Sequence, residues 1–129
     1  YGMPMGPIEL ADQIGLDVTL DAGLPLGVPD DVAAVLQAHI DQGNLGRKSG
    51  TGFYQWDGKK AIRQRHQYPA GELAALAEEL LLPMIKECQS AVDEGVVESA
   101  EMADAGMIFG TGFPGFRGGA LFWASQQNN

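Results

Sequence analysis

Tyr1-Gly-Met-Pro-Met-Gly-Pro-Ile-Glu-Leu-Ala-Asp12 decides how this chain is read. Its two prolines and two glycines fix a tight turn, and a helical apolar pattern starts directly behind them. A degraded copy stands near the other end, as Gly110-Thr-Gly-Phe-Pro-Gly-Phe-Arg-Gly-Gly-Ala-Leu121. Each copy predicts a loop that turns sharply and drops into a helix. The chain is therefore expected to be all-α, two versions of one helical unit, with the seam in the loop around residues 57–68.

Composition narrows the class. A chain of 129 residues suits a single compact domain, and 45% hydrophobic with 19% charged residues is the balance of a soluble globular protein. The formal charge of −9 argues against nucleic acid as a partner, because an acidic surface repels phosphate backbones. No apolar run approaches the roughly 20 residues of a membrane helix, and no basic start followed by an apolar run marks a signal peptide. The single Cys88 has no partner for an internal disulfide, so a cytoplasmic location is expected, with the thiol buried and inert. The chain opens on Tyr inside a motif and ends abruptly at Gln126-Gln-Asn-Asn129, as expected of a piece of a longer protein.

Working outward from the first motif, Ile8, Leu10, Ala11 and Ile14 predict an apolar face that Gly15 interrupts. Leu16 to Ala22 continues as a second short helix closing at Gly23, and Pro25, Gly27 and Pro29 mark a loop. Asp30 is expected to cap the next helix, with Asp31 in its first turn. Val32, Val35, Leu36, His39 and Ile40 give that helix its apolar face, and Gly43 ends it. His39 reads as a hydrogen-bonded core or boundary histidine rather than a catalytic one. Leu45-Gly-Arg-Lys-Ser-Gly-Thr-Gly-Phe-Tyr-Gln-Trp56 then gives a glycine-rich loop and an extended segment that docks by its rings. Its Gly46-Arg-Lys-Ser fails the spacing of a phosphate-binding loop, and no strand precedes it. Six of the eight basic residues follow one another closely, as Arg47, Lys48, Lys59, Lys60, Arg63 and Arg65. This positive segment reads as a solvated loop, with attraction of an anionic ligand or an acidic surface as the alternative.

The longest helix opens at or just after Pro69 and runs to about Glu94. Leu73, Leu76, Ala77, Leu80, Met84, Cys88, Ala91 and Val92 predict one buried face, widened by Leu81, Leu82 and Ile85, and Pro83 predicts a kink. Ser99 caps a further helix to Phe109, and Leu121-Phe-Trp123 begins the last. No HExxH, CxxC, GxSxG or strand–GxGxxG–helix is present, so no metal, nucleophile or dinucleotide site is contained in these residues. Asp30-Asp31 and Glu78-Glu79 read as helix-end and solvated charges.

These motifs carry a family resemblance. Gly2-Met-Pro-Met-Gly-Pro-Ile-Glu-Leu-Ala-Asp12 with Gly15-Leu-Asp17 resembles the C-terminal helical domain of 3-hydroxyacyl-CoA dehydrogenases. Leu45-Gly-Arg-Lys-Ser-Gly-Thr-Gly-Phe-Tyr54 resembles the segment closing that domain's first repeat. Leu80-Leu-Leu-Pro-Met-Ile85, Glu94-Gly-Val-Val97, Asp104-Ala-Gly-Met-Ile-Phe-Gly-Thr-Gly-Phe-Pro114 and Phe116-Arg-Gly-Gly119 resemble its second repeat, as found in multifunctional fatty-acid oxidation α-subunits.

The resemblance implies a fold of 6-phosphogluconate dehydrogenase C-terminal-like type, with an incomplete first repeat over residues 1–66 and a degenerate second over 67–129. It implies an NAD-dependent enzyme acting on 3-hydroxyacyl-CoA, whose NAD and whose histidine–glutamate pair belong to a separate Rossmann domain. Neither His39 nor His66 then inherits catalysis, and the isolated chain is expected to be inactive. The family's substrate-contacting Asn-Arg pair falls before Tyr1, and Glu78-Glu79 stands in its place in the second repeat. Phe109 occupies a substrate-binding tyrosine position, so its ring either lines an acyl or pantetheine path or is a core phenylalanine beside a tight turn. The role implied is closure of the substrate cleft and pairing of domains, with a thiolase β-subunit as partner in the whole complex. The other reading is a non-catalytic helical interaction or assembly module.

Overall fold

The computed structural model describes residues 2–64 and 66–127. Tyr1 of the opening motif, Arg65 of the basic segment and the terminal Asn128 and Asn129 lie outside the described residues. The fold is predominantly helical, with one small hairpin. It forms two compact units, one of residues 5–66 and one of residues 67–127 joined by residues 2–4.

In the first of these, α1 (Pro7–Ile14) and α2 (Leu16–Gly23) are separated by Gly15 at φ +109, a conformation that L side chains rarely adopt. A single 3-10 turn, Leu24–Leu26, leads to α3 (Asp30–Asp41). Asp30 does not cap α3: Pro29 holds that position, its carbonyl accepting the Ala33 N–H at 2.9 Å, and Asp30 is the first helical residue. Gly43, at φ +75, ends α3 as expected. The core is Leu16, Leu20 and Leu36, with Ala11, Ala33, Ile40 and Phe53 packed against it. Ile8, Leu10, Ile14, Val32 and Val35 are exposed instead of buried. On α1 the inward position is taken by Asp12, its one buried residue, and on α3 by Leu36.

The segment after the glycine-rich loop folds into a hairpin of β1 (Gln55–Asp57) and β2 (Lys60–Ile62), paired Gln55↔Ile62, Trp56↔Ala61 and Asp57↔Lys60. Gly58, at φ +57, makes the reversal.

In the second unit, α4 (Ala70–Asp93), α5 (Ala100–Thr111) and α6 (Ala120–Gln127) surround Leu81, Ile85, Ala103, Phe113, Ala120 and Leu121. Met3 packs on this core, and Gly2 and Pro4 lie against Phe116, Pro114 and Gly112. Ser99 caps α5, accepting the Met102 N–H at 3.3 Å. The Glu101 carboxyl is held below its ordinary range first by its own backbone N–H and then by the Ser99 hydroxyl. Helix α4 continues through Pro83, which leaves the Glu79 carbonyl without its helical donor.

The broad buried face expected of α4 is not there. Leu81 and Ile85 are buried, whereas Leu73, Leu76, Leu80 and Leu82 are about half exposed. Orientation explains it: at about 3.6 residues per turn Leu80 and Leu82 stand about 100° to either side of Leu81, and Leu73 and Leu76 fall on the Leu80 flank, away from the direction in which Leu81 and Ile85 enter the core. Cys88 is partly buried beside the core, and burial, then the charges of Asp104 and Glu87, pushes its thiol up from the ordinary 9.0. Among the described residues no helix is long and apolar enough to cross a membrane.

Candidate functional site

The glycine-rich loop and the first motif meet at Asp12. Its Oδ1 accepts the backbone N–H of Phe53 at 2.9 Å, and its Oδ2 accepts the N–H of Tyr54 and the indole N–H of Trp56, each at 2.9 Å. Asp12 has no accessible surface. A carboxylate so placed is costly unless its lone pairs are satisfied, and here three N–H donors satisfy them with no cation. Asp12 is thereby a clamp that fixes the turn between the glycine-rich loop and β1.

The glycines make the approach possible. A Cβ on Gly46 would overlap the Asp12 carbonyl, and one on Gly52 would overlap the Asp12 carboxylate. The intervening 3-10 turn, Arg47–Ser49, ends at Gly50 in the left-handed conformation, φ 82. Its basic side chains, expected to be solvated, reach back to the helices. Arg47 donates to Gln13 Oε1 at 3.0 Å, and Lys48 donates to both oxygens of Asp17 at 2.5 and 2.7 Å. The Lys48 hydrogen bonds hold the Asp17 carboxyl below its ordinary 3.8. Further on, Arg63 pairs with Glu9. His39 packs its ring on Phe53 at 4.6 Å between centroids, but its buried Nδ1 has no hydrogen-bond partner, contrary to expectation.

A second clamp stands in the other unit. Asp104 of α5, also buried, accepts the N–H of Leu121 at 2.7 Å and of Phe122 at 3.0 Å, holding the first turn of α6. It too follows a 3-10 turn, Gly115–Arg117, closed by a left-handed glycine, Gly118 at φ 82. In both clamps the bound amides lie three and four positions after that glycine. They differ in place: Asp12 lies in the helix after its Gly-Pro turn, and Asp104 in the helix before its own. Counted from the first helical residue, the α6 counterpart of Asp12 is Ser125, which donates to the Phe122 carbonyl.

Phe109 stands in the last turn of α5 and is 89% exposed, so the core alternative for its ring is overturned. Glu78 and Glu79 are exposed on α4, as expected of solvated charges. His66 lines an open hollow of about 610 Å3 beside Phe53, Tyr54, Ile62 and Arg63. Among the described residues no three His, Cys, Asp or Glu side chains gather as a metal site. Asp12 and Asp104 were not legible as buried; the available signal was an acid set inside an otherwise apolar motif.

Comparison with known proteins fits this arrangement. Residues 1–56 match the family model of the 3-hydroxyacyl-CoA dehydrogenase, C-terminal domain, and this stretch contains both Asp12 and the loop it clamps. The fatty acid oxidation complex subunit alpha of Vibrio vulnificus is 34% identical over 142 aligned residues, covering 98% of this chain and 20% of that protein. The protein of the same name from Pseudomonas syringae pv. syringae is 34% identical, covering 94% of this chain and 20% of its own length. The chain thus spans about a fifth of the length of the curated relatives it matches. With its motif, its clamped loop and a likeness that runs almost end to end, the chain belongs to the 3-hydroxyacyl-CoA dehydrogenase C-terminal domain family, in the form found in fatty acid oxidation complex α subunits.

Proposed function

We propose that this chain is the supporting C-terminal region of a cytoplasmic NAD-dependent dehydrogenase that oxidises 3-hydroxyacyl-CoA to 3-oxoacyl-CoA in fatty-acid β-oxidation. The observation that carries the reading is the family match over residues 1–56, whose motif residues are those locked together by Asp12. These residues do not fit NAD: the two strands form an antiparallel hairpin, and no strand runs through GxGxxG into a helix. Hydride transfer is therefore assigned to a Rossmann domain outside these residues, and this chain closes the substrate cleft and pairs with a neighbouring domain. Phe109, with an exposed ring and no hydroxyl, lines the acyl or pantetheine path by apolar contact.

The two motif-led stretches, 1–66 and 67–129, are read as tandem repeats, the second keeping the packing role and not the substrate contact, with a thiolase β-subunit as partner of the whole complex. The half-exposed Leu73, Leu76 and Leu80 favour the second reading, a non-catalytic helical assembly module. A chimera separates the two: the matched fifth of the Vibrio vulnificus subunit is replaced by this chain. Turnover of 3-hydroxyacyl-CoA with NAD by the chimera supports the dehydrogenase reading, and a folded but inactive chimera supports the module.

A further inference from the structure

The outer edge of β2 is open, and the charge beside it has the sign opposite to that of the chain as a whole. Trp56 donates its backbone N–H to the Gly50 carbonyl at 2.9 Å, so this residue turns its backbone away from β2. In an antiparallel pair, residues that face each other turn their backbone groups both inward or both outward. Ala61 faces Trp56, so its N–H and C=O point out along the far edge of β2. Among the described residues the sheet has no third strand to meet them.

That edge borders a hollow of about 290 Å3 lined by Glu9, Lys59, Lys60, Ala61 and Arg63. Lys59 and Lys60 have no carboxylate at ion-pairing distance among the described residues, whereas Arg63 pairs with Glu9. Arg63 keeps 62% of its side chain exposed beyond that pair. Asp57 stands across the ladder from Lys60, and Glu9 enters the hollow, so the local balance is three cations against two acids in a chain of net charge −9. Ile62, exposed on the hairpin's outer face, adds an apolar neighbour.

We propose that this edge docks an extended acidic peptide segment of a partner protein, which adds to β2 as a third strand. Ala61 supplies the backbone pair that fixes register, and carboxylates at alternate positions of the peptide meet Lys59 and Arg63 on the Ala61 face, while Lys60 adds its charge from the opposite face. The acidic remainder of the chain repels such a peptide elsewhere, which confines it to this edge. With one outward backbone pair the complex is weak and salt-sensitive.

The test titrates the whole 129-residue chain with a fluorescein-labelled peptide of alternating glutamate and valine, read by anisotropy and by amide chemical shifts. Saturable binding is expected at low salt, with shifts centred on Lys60 to Ile62 and slowed exchange of the Ala61 amide. Lys60→Glu and, separately, Lys59→Glu each weaken it by about tenfold, as does N-methylation of alternate peptide bonds in the probe. An unchanged amide and indole N–H chemical shift of Trp56 shows that the variants keep the hairpin. Equal binding of the N-methylated probe, displacement by inorganic phosphate with the same shifts, or no binding to the parent chain would each overturn the proposal.

Discussion

The carboxylate of Asp12 accepts the indole N–H of Trp56 at 2.9 Å across 44 residues of chain. The same carboxylate takes the amides of Phe53 and Tyr54, so a single side chain of α1 sets the course of the backbone into β1. Asp12→Ala leaves three donors facing a cavity. Each bond to a charged acceptor is worth about 1.5–3 kcal/mol, and the variant is expected to lose on the order of 3 kcal/mol or more. Urea unfolding followed by Trp56 emission in a Trp123→Phe background measures this; a loss within ~0.5 kcal/mol, the usual range for surface substitutions, would contradict the clamp.

Gly46→Ala probes the same contact from the other side. Its Cβ would press on the Asp12 backbone carbonyl, and its φ of +100 is itself unfavourable for alanine. A destabilisation of about 2–4 kcal/mol is expected. Gly43→Ala, where φ is +75 but the space beyond the α-carbon is open, is expected to cost only about 1–2 kcal/mol. Equal losses in the two variants would show that close approach to Asp12 is not what requires glycine at position 46.

Local chemistry was legible in the sequence and long-range pairing was not. The ends of α3 and α4 at Gly43 and Gly95, the Ser99 cap and the Gly-Pro turns all rest on interactions within a few residues, and the structure keeps them. Gly58-Lys59, a two-residue loop with glycine first, is a hairpin signal of the same local kind, overshadowed by the ring-rich segment before it. The inward face of α1 could not be read from periodicity, because it holds a carboxylate whose donors lie 41 to 44 residues away. The stripe of α4 misled for another reason: periodicity marks a broad apolar face but does not say how wide a part of it the neighbouring helices cover, and here only the strip through Leu81 and Ile85 is buried.

Lys48 and Asp17 give a pH-dependent signature. The bidentate contact lowers the Asp17 carboxyl below 3.8 in the folded chain. A group lowered on folding stabilises above its unfolded value, and that contribution disappears as pH falls through the lowered folded value. Carboxyl chemical shifts should therefore place the Asp17 midpoint below 3.8, and Lys48→Met should return it toward that value. The stability difference between parent and variant should be present at neutral pH, shrink with added salt, and vanish in strong acid. A difference that grows on acidification would contradict the assignment.

Phe109 separates a functional from a structural role. Its ring is exposed, so Phe109→Ala is expected to change the stability of this chain by no more than about 0.5 kcal/mol. In the chimera with the Vibrio vulnificus subunit, the same substitution should raise KM for a long-chain 3-hydroxyacyl-CoA several-fold and leave a four-carbon substrate less affected. A loss of stability without a change in KM would place Phe109 in packing alone.

The central claim is that this chain completes a dehydrogenase without carrying its chemistry, and NADH formation from 3-hydroxyacyl-CoA tests it most directly. Three preparations are compared: this chain alone, the Vibrio vulnificus subunit lacking its matched segment, and the chimera in which this chain replaces that segment. No turnover by the first, loss of turnover in the second and recovery in the third is the predicted result. Turnover by the chain alone, or full activity in the subunit that lacks the segment, would contradict it.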